Sequence, residues 1–521
     1  MELIRKNIHM HGVKAKAVTQ LTLDEDINVP DTNEDIGRMI QEKACFHIDE
    51  VKGEDNQALI KGSVQLDLLY SDAVGEGRLQ VMNTRIPVEQ VIHMDGVSPL
   101  DNINVRGDLE DVSLSLINSR KINLKGIISL SASADELRDE EVIVEIMDEK
   151  KAVQTMGREL SLLQMRMHKK DNCRMKDEIV LSSAKPNIYQ MLWYQIQPCN
   201  VEIKKLDGQL SIHGELKIFI LYSSEEENHP IQIVEEILPF HNTVDCTGCS
   251  EDLVSQIQWE MNQFHVEVRP DYDGEERVFG IEGIMELEIR LFGEENVQIL
   301  ADVYSTAQEA VPVMADITYQ TLLVKNQSKS RVNGNLSIGK NQPRILQIYQ
   351  AMGEVRADEI QETDEGLMVE GVVCVQLLYV TSDDEMPYAS MKGQIPFQQL
   401  VEVPDMEEEA DYMIQADMEQ LQAIMSDSEE VEFKGMINLN VLVLGHRQTS
   451  VIKELDVREM DYARLNDIPG MTGYIAEEGD TLWKIAKEYS TTVDLLRQMN
   501  DFKGEEVRRG DKFLILKTVS G

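Results

Sequence analysis

Gly62-Ser63-Val64-Gln65-Leu66-Asp67-Leu68-Leu69-Tyr70 decides how most of this chain reads. Val64, Leu66 and Leu68 alternate with Ser63, Gln65 and Asp67. That period of two belongs to a strand with one face on a core. The pattern returns twice: Leu216, Ile218 and Ile220 alternate between Gly214 and Tyr222, and Val373, Val375 and Leu377 between Gly371 and Tyr379. The glycine opening each strand marks a bulge or a close backbone approach.

Working outward, Ile36 lies 26 residues before Gly62, Tyr70 follows that glycine by 8, and Pro87 follows by another 17. Ile188, Gly214, Tyr222 and Pro239 repeat the intervals, as do Ile345, Gly371, Tyr379 and Pro396. Chance does not give that three times; the chain is internally repeated with a period of about 155 residues. In the first copy Ile36-Gly37-Arg38-Met39 begins a short helix-like stretch. Each has an apolar–proline step (Ile86-Pro87, Leu238-Pro239, Ile395-Pro396), where proline suits a strand edge or turn. A later strand follows in each, around Gly126, Gly283 and Gly435.

The expected fold is multidomain and mainly β: three tandem β-rich, sandwich-like repeat domains at 1–152, 153–308 and 309–458, a linker at 459–472, and a small βααβ domain at 473–517. A unit this long is a domain in its own right, so the repeats are expected as tandem beads rather than a solenoid of small units.

The last of these regions runs Tyr474-Ile475-Ala476-Glu477-Glu478-Gly479-Asp480-Thr481-Leu482-Trp483-Lys484-Ile485-Ala486 and ends near Gly510-Asp511-Lys512-Phe513-Leu514-Ile515. Asp480 or Thr481 can cap a helix whose apolar stripe is Leu482, Ile485, Ala486 and Tyr489. Thr491 and Asp494 open a second helix with Val493 and Leu496 inward, and Lys512 to Leu516 forms a closing strand. This string resembles a LysM domain. The resemblance implies a shallow groove for N-acetylglucosamine polymers, with Gly479, Asp480, Thr481 and Leu482 on one wall and Met499, Asn500, Asp501 and Phe502 on the other. Trp483, at the edge of the apolar stripe, is the candidate hot spot for a protein partner.

Ninety-four acids against 50 bases give a net charge of −44. The 474–517 module, with nine acids and eight bases, contributes −1, so −43 rests on the remainder. Such a surface disfavours nucleic acid and anionic lipid. The N-terminal Met1-Glu2-Leu3-Ile4-Arg5 carries no secretion signal, and no run approaches the roughly 18 apolar residues of a membrane helix. Six scattered cysteines fit a reducing compartment. Only Cys246-Thr247-Gly248-Cys249 is a close pair, and it lacks the further ligands of a zinc site.

No catalytic string occurs, so no enzyme, cofactor or metal is expected. Gly334 to Asn341 copies a phosphate loop except that Asn341 replaces the magnesium-binding hydroxyl, and polar Ser328–Val332 replaces the buried strand before it. The acidic runs Glu407-Glu408-Glu409 and Ser426 to Glu430 read as solvated loops.

With their Gly–Tyr strand and Pro step, the repeats resemble the SPOCS domain of spore-coat proteins in spore-forming Firmicutes. Tandem SPOCS domains with a C-terminal LysM resemble the spore-coat morphogenetic proteins. That resemblance implies an assembly adaptor in the mother-cell cytoplasm at the forespore surface, whose LysM binds the coat morphogenetic ATPase or other coat proteins. The alternative is a protein of the wall or cortex gripping peptidoglycan. Topology favours the first, since a leaderless chain meets no glycan polymer.

Overall fold

The computed structural model describes residues 2–73, 78–148, 152–340, 342–404, 406, 410–459, 469–504 and 506–516. The first repeat is six strands: β1 (Glu2–Asn28), β2 (Ile36–Glu54), β3 (Gln57–Asp72), β4 (Leu79–His93), β5 (Ile103–Asn118) and β6 (Lys121–Met147). They form two antiparallel sheets, ordered β1-β6-β5 and β2-β3-β4, which enclose one apolar core. The second repeat copies this with β7 (Val153–Val180), β8 (Ile188–Leu206), β9 (Gln209–Ser224), β10 (Ile231–Asp245), β11 (Val254–Pro270) and β12 (Glu276–Ser305). The third uses β13 (Glu309–Ser337), β14 (Ile345–Thr363), β15 (Gly366–Thr381), β16 (Tyr388–Glu402), β17 (Asp411–Met425) and β18 (Glu430–Arg458).

Gly62 lies inside β3, five residues after the strand begins, where β2 steps register between Ile48 and Glu50. A methyl group at Gly62 would overlap the His47 carbonyl and the Phe46 ring, and one at Gly371 would overlap Arg356 and Phe397. The close approach fixes glycine there. Tyr70, Tyr222 and Tyr379 have no exposed surface, and each hydroxyl donates to a backbone carbonyl 36 residues upstream: Glu34 (3.0 Å), Pro186 (3.2 Å) and Pro343 (3.3 Å). That bond ties the central strand to the loop entering its sheet. The Ile36 stretch is the start of β2, not a helix. The prolines fall on β4, β10 and β16, each at a sheet edge, where a missing N–H costs no ladder bond.

Each repeat has its own core, and the three also pack against one another. β5 covers β6 only as far as Ala134, so the remainder of the antiparallel β1/β6 pair, Glu2–Val13 with Asp135–Met147, projects beyond the sandwich as a two-stranded ribbon. The three projecting ribbons pack together. Ile8, Leu160 and Ile317 are equivalent positions in the repeats, as are Met10, Leu162 and Tyr319, and Val142, Ile299 and Val451; all nine share one buried cluster. A second shared layer unites Ile143, Leu300 and Ile452. At the opposite end Leu69, Leu221 and Leu378 meet over Ile40, Leu192 and Tyr349. The repeats therefore close around a pseudo-threefold axis. Each buried aliphatic is worth about 1.5–3 kcal/mol, so separating the repeats would expose tens of kcal/mol of apolar contact. The sequence carried a trace of this in the Leu68-Leu69-Tyr70 run, where alternation breaks because the strand is buried on both faces.

Candidate functional site

After the third repeat come β19 (Met471–Ile475), α1 (Leu482–Glu488), α2 (Val493–Met499) and β20 (Lys512–Leu516), in the expected order. Residues 460–468 of the expected linker lie outside the described residues. The two strands pair antiparallel, and Ala476, Leu482, Ile485, Ala486, Leu496, Phe513 and Ile515 form the core. Thr481 caps α1 by accepting from the Lys484 amide at 3.1 Å. Asp480 instead accepts from the Tyr474 hydroxyl at 2.6 Å and the Glu477 amide at 2.8 Å; these bonds hold its carboxyl below its usual range, and the first pushes the phenol up to about 12. Thr492, not Thr491, caps α2. Thr491 is buried and points its carbonyl elsewhere.

Each loop of the expected groove is tied to the strand pair rather than, through any hydrogen bond between described residues, to the other loop. Asn500 bonds β20 twice, donating to the Leu514 carbonyl (2.9 Å) and accepting from the Leu514 amide (2.7 Å). Asp480, Thr481 and Asn500 are thus committed to holding the loops in place. Leu482 is core and Phe502 half-buried against Phe513. Gly479, Met499 and Asp501 are exposed.

Trp483 faces the body. Its indole packs edge-on against Tyr304 of β12 with ring centroids 4.9 Å apart, and its Nε1 donates to Asp302 at 2.8 Å. Lys487 donates to both oxygens of Asp302 (2.6 and 2.8 Å), and the buried Tyr304 hydroxyl donates to the Thr491 carbonyl at 2.7 Å. Burial opposes ionisation of Asp302, but the Lys487 and Trp483 bonds outweigh it and hold the carboxyl below its usual range. Burial beside Asp302 pushes the Tyr304 phenol up. The sequence reading missed this seat, although the repeats contain its signal. Where the second repeat has Asp302 and Tyr304, the first has Glu145 and Met147 and the third Glu454 and Asp456. Only the second pairs an acid with an aromatic.

Elsewhere, Asp135, His168 and Glu288 are the one set of potential metal-ligating groups found among the described residues. Buried Arg290 occupies the place of the cation, bonded to Glu288 and 3.4 Å from Asp135. Burial works against the Glu288 charge, yet His168, Arg290 and Asn104 hold that carboxyl at about 2. The cluster is an ion network joining the first two repeats. The Gly334 loop ends an antiparallel strand, the wrong context for a phosphate loop, and Asn341 and Glu407-Glu408-Glu409 lie outside the described residues. Ser426 to Glu430 forms a tight turn, with Asp427 accepting from the Glu429 and Glu430 amides.

The family model described as SipL, SPOCS domain, matches residues 35–117, 187–269 and 344–426, and the LysM model matches 474–515. The chain is three SPOCS domains followed by a LysM domain. Each SPOCS match spans the second to the fifth strand of a repeat, β2 to β5 in the first. The flanking strands that build the shared stem fall outside the matches. SPOCS and LysM domains place the chain among sporulation-related proteins and give it a peptidoglycan-binding type of module. No helix among the described residues is long and apolar enough to cross a membrane. No curated protein and no solved structure matches the chain.

Proposed function

We propose that this protein is a non-enzymatic adaptor of spore-coat or envelope assembly, which presents its LysM domain to the coat morphogenetic ATPase at the forespore surface. The observation that carries the reading is the seating of LysM. Trp483 and Lys487 fasten its α1 side to Asp302, while Gly479, Met499 and Asp501 stay exposed. A handle held rigidly on a three-domain scaffold transmits position, which is what assembly requires. The polar groove side chains Asp480, Thr481 and Asn500 are already bonded within the module, which leaves backbone, Met499, Asp501 and Phe502 for contact. That set suits a protein surface.

The second reading, binding to an N-acetylglucosamine polymer, is favoured by the LysM match and by the same exposed loop residues. Two assays on the full chain separate them: retention on immobilised ATPase, and sedimentation with purified peptidoglycan. The adaptor reading expects retention without sedimentation. Sedimentation without retention overturns it.

A further inference from the structure

The internal repeat supplies its own control for which residues are special. In the first repeat Met94-Asp95-Gly96-Val97 makes a turn closed by the Val97 amide on the Met94 carbonyl at 3.2 Å, with Gly96 at φ +80°. In the second, Cys246-Thr247-Gly248-Cys249 makes the same turn, closed at 2.8 Å with Gly248 at φ +89°. Both are tied to the preceding hairpin by matching bonds: Met94 to Asn56, and Cys246 to Gly208. The third repeat has Val403 and Met406 at the two positions. The strand beneath differs in the same way, with Met167 where the others have Ala15 and Val324. Only the second repeat, then, gathers three sulfurs at a place the others fill without a thiol.

We infer that Met167, Cys246 and Cys249 form a three-sulfur site for a soft monovalent metal ion, copper(I) being the representative. The Cys246 sulfur lies 3.9 Å from the Met167 sulfur, and the two thiols are within hydrogen-bonding reach of each other. A trigonal site with metal–sulfur bonds of about 2.3 Å spaces its sulfurs about 4 Å apart, which is the separation of Cys246 from Met167. Thiolate and thioether ligands select copper(I) over harder ions, and three ligands leave zinc one short of its tetrahedron. All three sulfurs belong to the second repeat's core, and Cys246 and Cys249 are 0% and 2% exposed. The turn itself is at the surface, with open space beside Gly248, which gives the ion a short path.

Binding is a ligand exchange without change of oxidation state. Copper(I) leaves its carrier, both thiols lose their protons to solvent, and the Met167 sulfur donates a lone pair. Cysteine binds a metal as thiolate, so the ion must displace the thiol protons. Lys205 lies close enough to favour the resulting negative charge. Lys169, bonded to the Asp245 carbonyl next to Cys246, adds a second cation nearby.

The test is anaerobic competition of the full chain with a coloured copper(I) chelator, beside the double variant Cys246→Val, Cys249→Val. Those substitutions copy valines that the third and first repeats carry at these positions, so the variant is expected to fold. The wild-type chain should hold one copper(I) more than the variant. Met167→Leu should weaken that ion at least tenfold with unchanged circular dichroism, and copper absorption-edge spectroscopy should count three sulfur neighbours falling to two. Equal copper uptake by wild type and double variant overturns the site. So does uptake indifferent to Met167, which would mean a two-cysteine contact without the third ligand.

Discussion

Asp302 and Trp483, 181 residues apart, are joined by a 2.8 Å hydrogen bond from the indole to the carboxylate. A bond to a charged group is worth about 1.5–3 kcal/mol, and the Tyr304 ring adds about 0.5–1.5 kcal/mol. Trp483→Ala is therefore expected to loosen LysM from the body by about 2–4 kcal/mol. Limited proteolysis between the third repeat and LysM should quicken markedly, while the LysM core stays protected from hydrogen exchange. An unchanged cleavage rate would mean that the seat does not hold the domain.

The same contact predicts a pH dependence. The folded Asp302 carboxyl is held below its value in the released state, so its contribution is fully present above that ordinary value, about 3.9. It is lost as pH falls through the folded value. Hydrogen-exchange protection at Thr491 and Trp483 should be flat from pH 7 to 5 and fall below about pH 4. Asp302→Asn should remove the acid-dependent loss, leaving weaker, pH-independent docking.

Asp417 works in the opposite sense. Burial pushes its carboxyl up to about 6, although Gln415 donates to it at 2.8 Å. A carboxyl raised on folding makes the folded protein bind more protons, so this group's contribution improves as pH falls from 7 through 6 towards 4. Asp417→Asn should raise the Tm at pH 7.5 and leave it nearly unchanged at pH 4. A lower Tm at pH 7.5 would contradict the assignment.

How far the sequence spoke depends on which contacts are local. The Gly–Tyr strands, the edge prolines and the LysM order were legible because each follows from alternation, a fixed spacing or a cap a few residues away. Lys512 to Leu516 emerged as a strand with those bounds. The helix-like reading of Ile36 failed because a bulged strand start, with Gly37 unpaired in the ladder, breaks the period-two signal. The pseudo-threefold closure was illegible for another reason. Ile8, Leu160 and Ile317 meet across three separate repeats, and nothing in one copy announces its neighbours. Trp483 drew notice as an aromatic on a stripe edge, but its neighbour turned out to be this chain's own second repeat.

The tyrosine anchors allow a test of equivalence. Removing the hydroxyl from Tyr70, Tyr222 or Tyr379 orphans the Glu34, Pro186 or Pro343 carbonyl at a cost of about 1–3 kcal/mol. Each Tyr→Phe variant should lower the denaturant midpoint by a similar amount. One silent position among the three would break the equivalence.

What matters most is which face of LysM meets the partner. The most direct test is calorimetric titration of the full chain into the coat morphogenetic ATPase, with Met499→Glu and Trp483→Ala chains alongside. The prediction is that Met499→Glu abolishes binding through the exposed loop face while Trp483→Ala still binds, more weakly because a freed LysM no longer presents one orientation. Full binding by Met499→Glu, or heat released only on adding an N-acetylglucosamine oligomer, would contradict it.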